Sequence, residues 1–182
     1  MKDVIFVTGN QKKAEYFSKM VGVDVPHMKL DVDEIQSTDL VEIITHKAKQ
    51  AYEQAQRPVI VEDTRLSFNA LGGLPGPFVK WFLDTLGDEG LCRLLDSYDD
   101  RSAVAGAAMA YYDGSLLEVF EKELPGTIAD KPKGSNGFGW NRIFIPAGST
   151  ITLGEMTDDA FKKQYCKIKP FDELSAFLKS RT

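Results

Sequence analysis

Four apolar residues, Val4 to Val7, are followed by the polar corner Thr8-Gly9-Asn10, after which Ala14, Phe17, Met20 and Val21 recur at helical spacing. This predicts a strand running into a helix, with Gly22 as its stop. A polar-apolar segment, Met28 to Val32, reads as the second strand and leads to DEIQSTD, where Asp39 and Glu42 have the spacing of a capping box with Asp in place of Ser or Thr. Val41, Ile44, Ala48, Ala51 and Ala55 give the next helix a buried stripe. PVIVEDT is then a β-branched run ending in two carboxylates, the pattern of a buried strand in an α/β sheet.

The loop LSFNALGGLPGP comes next, followed by a helix through Phe78, Val79, Phe82 and Leu83 and another around Leu91, Leu94 and Leu95. Ser102 to Tyr112 and Leu116 to Leu124 flank Asp113-Gly114, a hairpin signal, so the later part of the chain is expected to be antiparallel. Glycine-rich PKGSNGFGWN precedes the short strand RIFIP, and Pro170 to Lys179 reads as a closing helix with Phe171, Leu174 and Phe177 inward. No repeat, low-complexity tract or long linker divides the chain. The whole pattern predicts an α/β fold, a mixed sheet with helices on its faces.

Length and composition bound this picture. A chain of 182 residues, 43% apolar and 27% charged, suffices for one sizeable domain or two lobes sharing a core. The net charge of -5 argues against a broad nucleic-acid-binding face, which needs clustered cations to displace counterions. It leaves open a small anion held by local lysines. Cys92 and Cys166 are too few for a disulfide framework or a four-ligand zinc site, and His27 and His46 lack metal-ligand spacing. Val4 to Val7 is much shorter than a signal-peptide core or a membrane span, so a soluble cytoplasmic protein is expected.

Several residue groups can carry chemistry. A helix N-terminus behind a polar corner offers unpaired N–H groups to an anion, and Lys13 lies just inside it; the plain alternative is a capped helix with solvated lysines, since no Walker spacing is present. Glu62 and Asp63 lie where open α/β sheets place their ligands, although a carboxylate there can also serve only to cap a loop. Asp33 and Glu34 form a second acidic pair, and oxygen ligands from two segments suit Mg²⁺ when substrate phosphates complete the shell. Lys47 sits at the border of the second helix's apolar stripe, where most lysines snorkel. Phe138-Gly139-Trp140 can place one ring inward and one against a planar ligand, or pack both in a core. Together these features fit a nucleoside triphosphate.

VTGNQKK, VEDTRLSFNALGGLPGPFVKWF and FGWN resemble, in the same order and over nearly the whole chain, the inosine triphosphate pyrophosphatase family. That resemblance implies an elongated central mixed sheet flanked by helices, a single domain over residues 1–182 with two lobes around a nucleotide-binding cleft, and a homodimer. It implies Mg²⁺-dependent hydrolysis of inosine, deoxyinosine and xanthosine triphosphates to monophosphate and pyrophosphate. Thr8, Asn10, Lys13, Lys47 and Thr64 would hold the phosphates, Glu34 and Asp63 the metal, and Asp63 would be the catalytic carboxylate. Phe138, Trp140, Asn141, Cys166 and Lys167 fall at the base site. There the chain departs from the family, with Asn141 where Asp is usual, Tyr165-Cys166-Lys167 where Ser-His-Arg is usual, and Phe161 beside Lys162 where a lysine is usual. Arg to Lys loses a planar, doubly donating fork. The expected alternatives are the same chemistry on another modified or canonical nucleotide, or a nucleotide-binding regulator without turnover.

Overall fold

The structure is a computed structural model that describes residues 4–22 and 25–181. The elements are β1 (Ile5–Val7), α1 (Gln11–Val21), β2 (His27–Met28), α2 (Leu40–Ala55), β3 (Val59–Phe68), β4 (Pro75–Gly76), α3 (Val79–Arg93), β5 (Ser102–Tyr112), β6 (Leu117–Ile128), β7 (Phe144–Pro146), α4 (Asp158–Ile168) and α5 (Phe171–Ser180). Among the described residues, one seven-stranded sheet runs in the order β2-β1-β3-β5-β6-β7, with β4 paired to β3. It is mixed, as the pattern predicted: β1 is parallel to β2 and β3, whereas β4 is antiparallel to β3 and β7 to β6. No described helix is long and apolar enough to cross a membrane.

The chain forms two compact units. The first comprises residues 1–63, 107–121 and 169–182, and the second 64–106 and 122–168. In the first, strand alternation sends Ile5, Val7, Val59 and Val61 to one face, where they pack with Ile44, Ala48 and Ala51 of α2 and with Ala108 and Ala110 of β5. Phe6 points to the opposite face and stacks on Phe17 of α1, ring centroids 4.1 Å apart, and Phe17 meets Phe171 of α5 edge-on at 6.3 Å. α2 thus covers one face of this part of the sheet, and α1 with α5 covers the other.

In the second unit, α3 breaks at Gly87 (φ 68°, ψ 176°), which separates the two helices expected there. Arg65 on β3 pairs with Glu123 on β6, and its stem lies over Gly106. A Cβ at Gly106 would stand 3.0 Å from Arg65 Nε, so a larger residue would crowd the pair.

Four expectations are corrected. β3 does not end at the carboxylates; it continues to Phe68, because β4 pairs with Leu66 and Ser67 and converts the start of the expected loop into strand. The start of α2 is not a reciprocal capping box: Asp39 accepts from the Val41 and Glu42 N–H groups, but Asp39 N–H donates to Ser37 Oγ, whose hydroxyl also holds Glu42. The α2 stripe includes Leu40 and Ile43 as buried residues, with Val41 and Ala55 only half-buried. Of the segment Met28 to Val32, only Met28 is strand. The pattern also passed over α4, whose inward side chains are Phe161, Tyr165 and Ile168.

Candidate functional site

The site is built on the alternation of β3. Ile60 is in register with Phe6, and Val61 with Val7, the last residue of β1. Glu62 therefore belongs to the face covered by α1 and α5, and Asp63 to the face covered by α2. Both lie immediately past the end of β1, where the chain of β1 enters the Thr8-Gly9-Asn10 corner.

On the α2 face, Lys47 Nζ donates to Asp63 Oδ2 at 3.2 Å and to Glu34 Oε1 at 2.9 Å. Burial opposes the charge of this ammonium, but Asp63 and Glu34 outweigh it and hold the lysine above its usual range. The Glu34 side chain is 46% exposed and that of Asp63 21%, so the cluster opens to solvent on the Glu34 side. Two carboxylates from separate segments already converge on one cation. Among the described residues no three His, Cys, Asp or Glu side chains form a metal cage, so a divalent ion here needs oxygens from phosphate and water, the kind of shell Mg²⁺ takes. The donor set fits that ion.

On the α1 and α5 face, Glu62 is buried, its side chain only 2% exposed, and Oε1 receives Lys13 Nζ at 3.1 Å and Lys169 Nζ in a shorter contact. Burial alone would raise the Glu62 carboxyl; Lys13 and Lys169 reverse this and hold it at about 2. Lys13 comes from the first turns of α1. That helix starts at the corner because Asn10, in extended backbone, accepts the Lys13 N–H at Oδ1 (3.1 Å), while Asn10 N–H donates to Thr8 Oγ1 (3.1 Å). Thr8, Asn10, Lys13, Glu34, Lys47 and Asp63 are all in the first unit.

Thr64 and the residues expected around the base lie in the second unit. Thr64 is half-buried. Phe138 is half-buried and meets Tyr165 edge-on at 6.1 Å; Tyr165 in turn stacks on Phe161 at 5.4 Å. Trp140 is buried edge-on against Phe144, ring centroids 5.6 Å apart. Asn141 is 4% exposed, and its Nδ2 has no hydrogen-bond acceptor. The amide sits so close to Gly137 (φ 78°) that a Cβ there would fall 2.2 Å from Nδ2. On α4, Cys166 is half-buried and in no disulfide, and Lys167 is exposed.

Residues 4–177 match the model of the Ham1 family. The chain belongs to the Ham1 family. It is 41% identical over 180 residues to an inosine triphosphate pyrophosphatase of Yarrowia lipolytica, covering 96% of this chain and 95% of that one. It is 44% identical over 160 residues to inosine triphosphate pyrophosphatase 2 of Trypanosoma cruzi, covering 86% and 82% respectively. The solved Ham1 protein of Staphylococcus aureus superposes with a TM-score of 0.81 at 25% identity, over 98% of this chain and all of that one. A Ham1 fold therefore carries the two clusters on β3.

Sequence reasoning missed Lys169 of this Ham1 chain. Nothing in the local pattern marks it, because it pairs with Glu62 across 107 residues of sequence and is buried where α4 gives way to α5. A weak signal was present in Pro170, which marks the turn into α5 and keeps the lysine beside it out of a regular helix.

Proposed function

We propose that this Ham1 protein is a Mg²⁺-dependent nucleoside triphosphate pyrophosphatase that hydrolyses non-canonical purine nucleoside triphosphates (inosine, deoxyinosine and xanthosine) to the monophosphate and pyrophosphate. One observation carries the proposal: consecutive carboxylates on β3 engage lysines from opposite helix layers, Lys13 through Glu62 and Lys47 through Asp63, beside the capped corner at Thr8 to Asn10. The names of the relatives from Yarrowia and Trypanosoma agree with it.

In this mechanism the capped corner and the ammonium groups of Lys13 and Lys47 bind the triphosphate and offset its charge. Lys47 exchanges its carboxylate partners for phosphate oxygens as substrate enters. Glu34 and Asp63 would hold Mg²⁺, which when bound neutralises charge on the phosphate oxygens. The Asp63 carboxylate orients an attacking water and takes its proton as the α–β anhydride P–O bond breaks and pyrophosphate leaves. Base recognition is assigned to Phe138 and to Asn141, whose Nδ2 is a buried donor without an acceptor. A carboxylate at that position has none. The amide, with Cys166 and Lys167, sets which purine edge is preferred.

The test is pyrophosphate release with and without Mg²⁺ from a panel of inosine, xanthosine, canonical purine and pyrimidine triphosphates, with Asp63→Asn as control. Release led by inosine and xanthosine nucleotides and abolished by Asp63→Asn is expected. A different leading nucleotide would retain the chemistry and replace the substrate; binding without release in the parent would make the protein a regulator. The proposal extends to a cytoplasmic homodimer, for which exposed Leu74, Trp81 and Leu86 are available apolar contacts and light scattering is the check.

A further inference from the structure

The mechanism above uses Lys13 but gives no task to the cation behind it. Lys169 is 2% exposed as a residue, and its ammonium shares Glu62 Oε1 with the ammonium of Lys13. Its neighbours in sequence, Ile168 and Phe171, are core residues, so packing alone would be served as well by an aliphatic side chain. Desolvating an ammonium is expensive, and such a charge persists only where its partner compensates it. Here the partner is itself a buried carboxylate that already has a second lysine.

The charge count of the cluster explains what the third member adds. Glu62 with Lys13 alone sums to zero, and Lys13 would spend its charge on a buried partner. With Lys169 the three groups sum to one positive charge. The only member with appreciable access to solvent is Lys13, its side chain 19% exposed against 2% for Glu62 and 3% for Lys169. The uncompensated charge is therefore presented at Lys13, and the shared oxygen still fixes where its ammonium stands. We propose that Lys169 is a positioning residue that neutralises Glu62 from the buried side, so that Lys13 keeps a net positive charge for an incoming polyphosphate. This inference rests on the proposed role of Lys13 in binding triphosphate.

Steady-state kinetics on the full chain with inosine triphosphate and Mg²⁺ test it. Lys169→Met should raise KM about tenfold, the weight of one charge-assisted contact, while kcat stays within about threefold. In a Lys13→Met background the same substitution should raise KM by less than about twofold, because the group it serves is gone. A merely structural lysine would have the same effect on KM in both backgrounds. Should Lys169→Met alone fail to fold, Glu62→Gln with Lys169→Met, which buries no charge, decides the matter: recovery of KM to within about threefold of the parent supports the inference, and a rise of about tenfold overturns it. An unchanged KM in Lys169→Met, or an equal rise with and without Lys13, also overturns it. A parent protein that turns over no triphosphate overturns the proposed function together with this inference; an active parent insensitive to Lys169 overturns this inference alone.

Discussion

Replacing Lys47 by Met separates stabilising from functional work within one side chain. Met keeps most of the buried stem and deletes the ammonium that bridges Glu34 at 2.9 Å and Asp63 at 3.2 Å. Two charge-assisted hydrogen bonds are lost, each nominally about 1.5–3 kcal/mol on truncation. Against this, the ammonium no longer has to be desolvated, and Glu34, 46% exposed, returns to water at little cost. Only Asp63, with a side chain 21% exposed, is left partly buried without this cation. The net destabilisation is about 1–2 kcal/mol, or a Tm lower by about 2–8 °C for a chain of this size. Activity should fall far more, by about a hundredfold or beyond in kcat/KM, equivalent to about 2.7 kcal/mol of transition-state stabilisation. A third readout follows from the geometry, since the lysine competes with a metal for the same oxygens: Mg²⁺ at about 10 mM should raise the variant's Tm by at least about 2 °C more than the parent's. Differential scanning calorimetry and pyrophosphate release measure all three. A variant that loses more than about 4 kcal/mol of stability yet keeps kcat/KM within about threefold would refute the reasoning, because Lys47 would then be a structural ion-pair partner only.

Three further outcomes are expected. Asp39→Ala removes the acceptor for two N–H groups at the start of α2 and should lower unfolding free energy by about 1 kcal/mol in urea titrations, with no change if the cap is dispensable. The Asp113 carboxyl is lowered to about 2 from its ordinary 3.8, chiefly by the Leu116 N–H and further by the Ser115 N–H, so its contribution to stability is complete above pH 3.8 and lost as pH falls through about 2. The urea midpoint should therefore slope downward across that window, less steeply in Asp113→Asn; equal slopes would count against the hairpin turn as the cause. Burial raises the Cys92 thiol to about 11 despite the nearby Arg101, whereas Cys166 is half-buried, so a thiol reagent should label one cysteine in the native protein and the second only on unfolding. Rapid native labelling of both would contradict the packing around Cys92.

What could be read from the sequence follows the range of the interactions involved. β1, α1, α2 and the Asp113-Gly114 hairpin were legible because apolar period, caps and turn residues act over a few positions. The continuation of β3 to Phe68 was not, because Glu62-Asp63-Thr64-Arg65 breaks the apolar run; those polar side chains are accommodated by partners far along the chain, Lys169 for Glu62 and Glu123 for Arg65. α4 was obscured by its composition, with three inward side chains among charged neighbours. The candidate site divided in the same way. Glu34, Lys47 and Asp63 were nominated individually, but that one ammonium joins them is a tertiary fact, and Lys169 had no local mark at all.

The adjacency of Glu62 and Asp63 also bears on how faithfully the chain must fold. A slip of β3 by one position on β1 would send each carboxylate to the wrong helix layer at once, so Lys13 and Lys169 would face Asp63 or an aliphatic residue, and Lys47 would lose its partner. No partly correct version of the site exists between the two registers. A one-residue insertion or deletion between Val59 and Glu62 carries the same penalty, so this short stretch tolerates no change of length. The pairing of Ile5 to Val7 with Val59 to Val61 is thus a proofreading step for chemistry that begins one residue later.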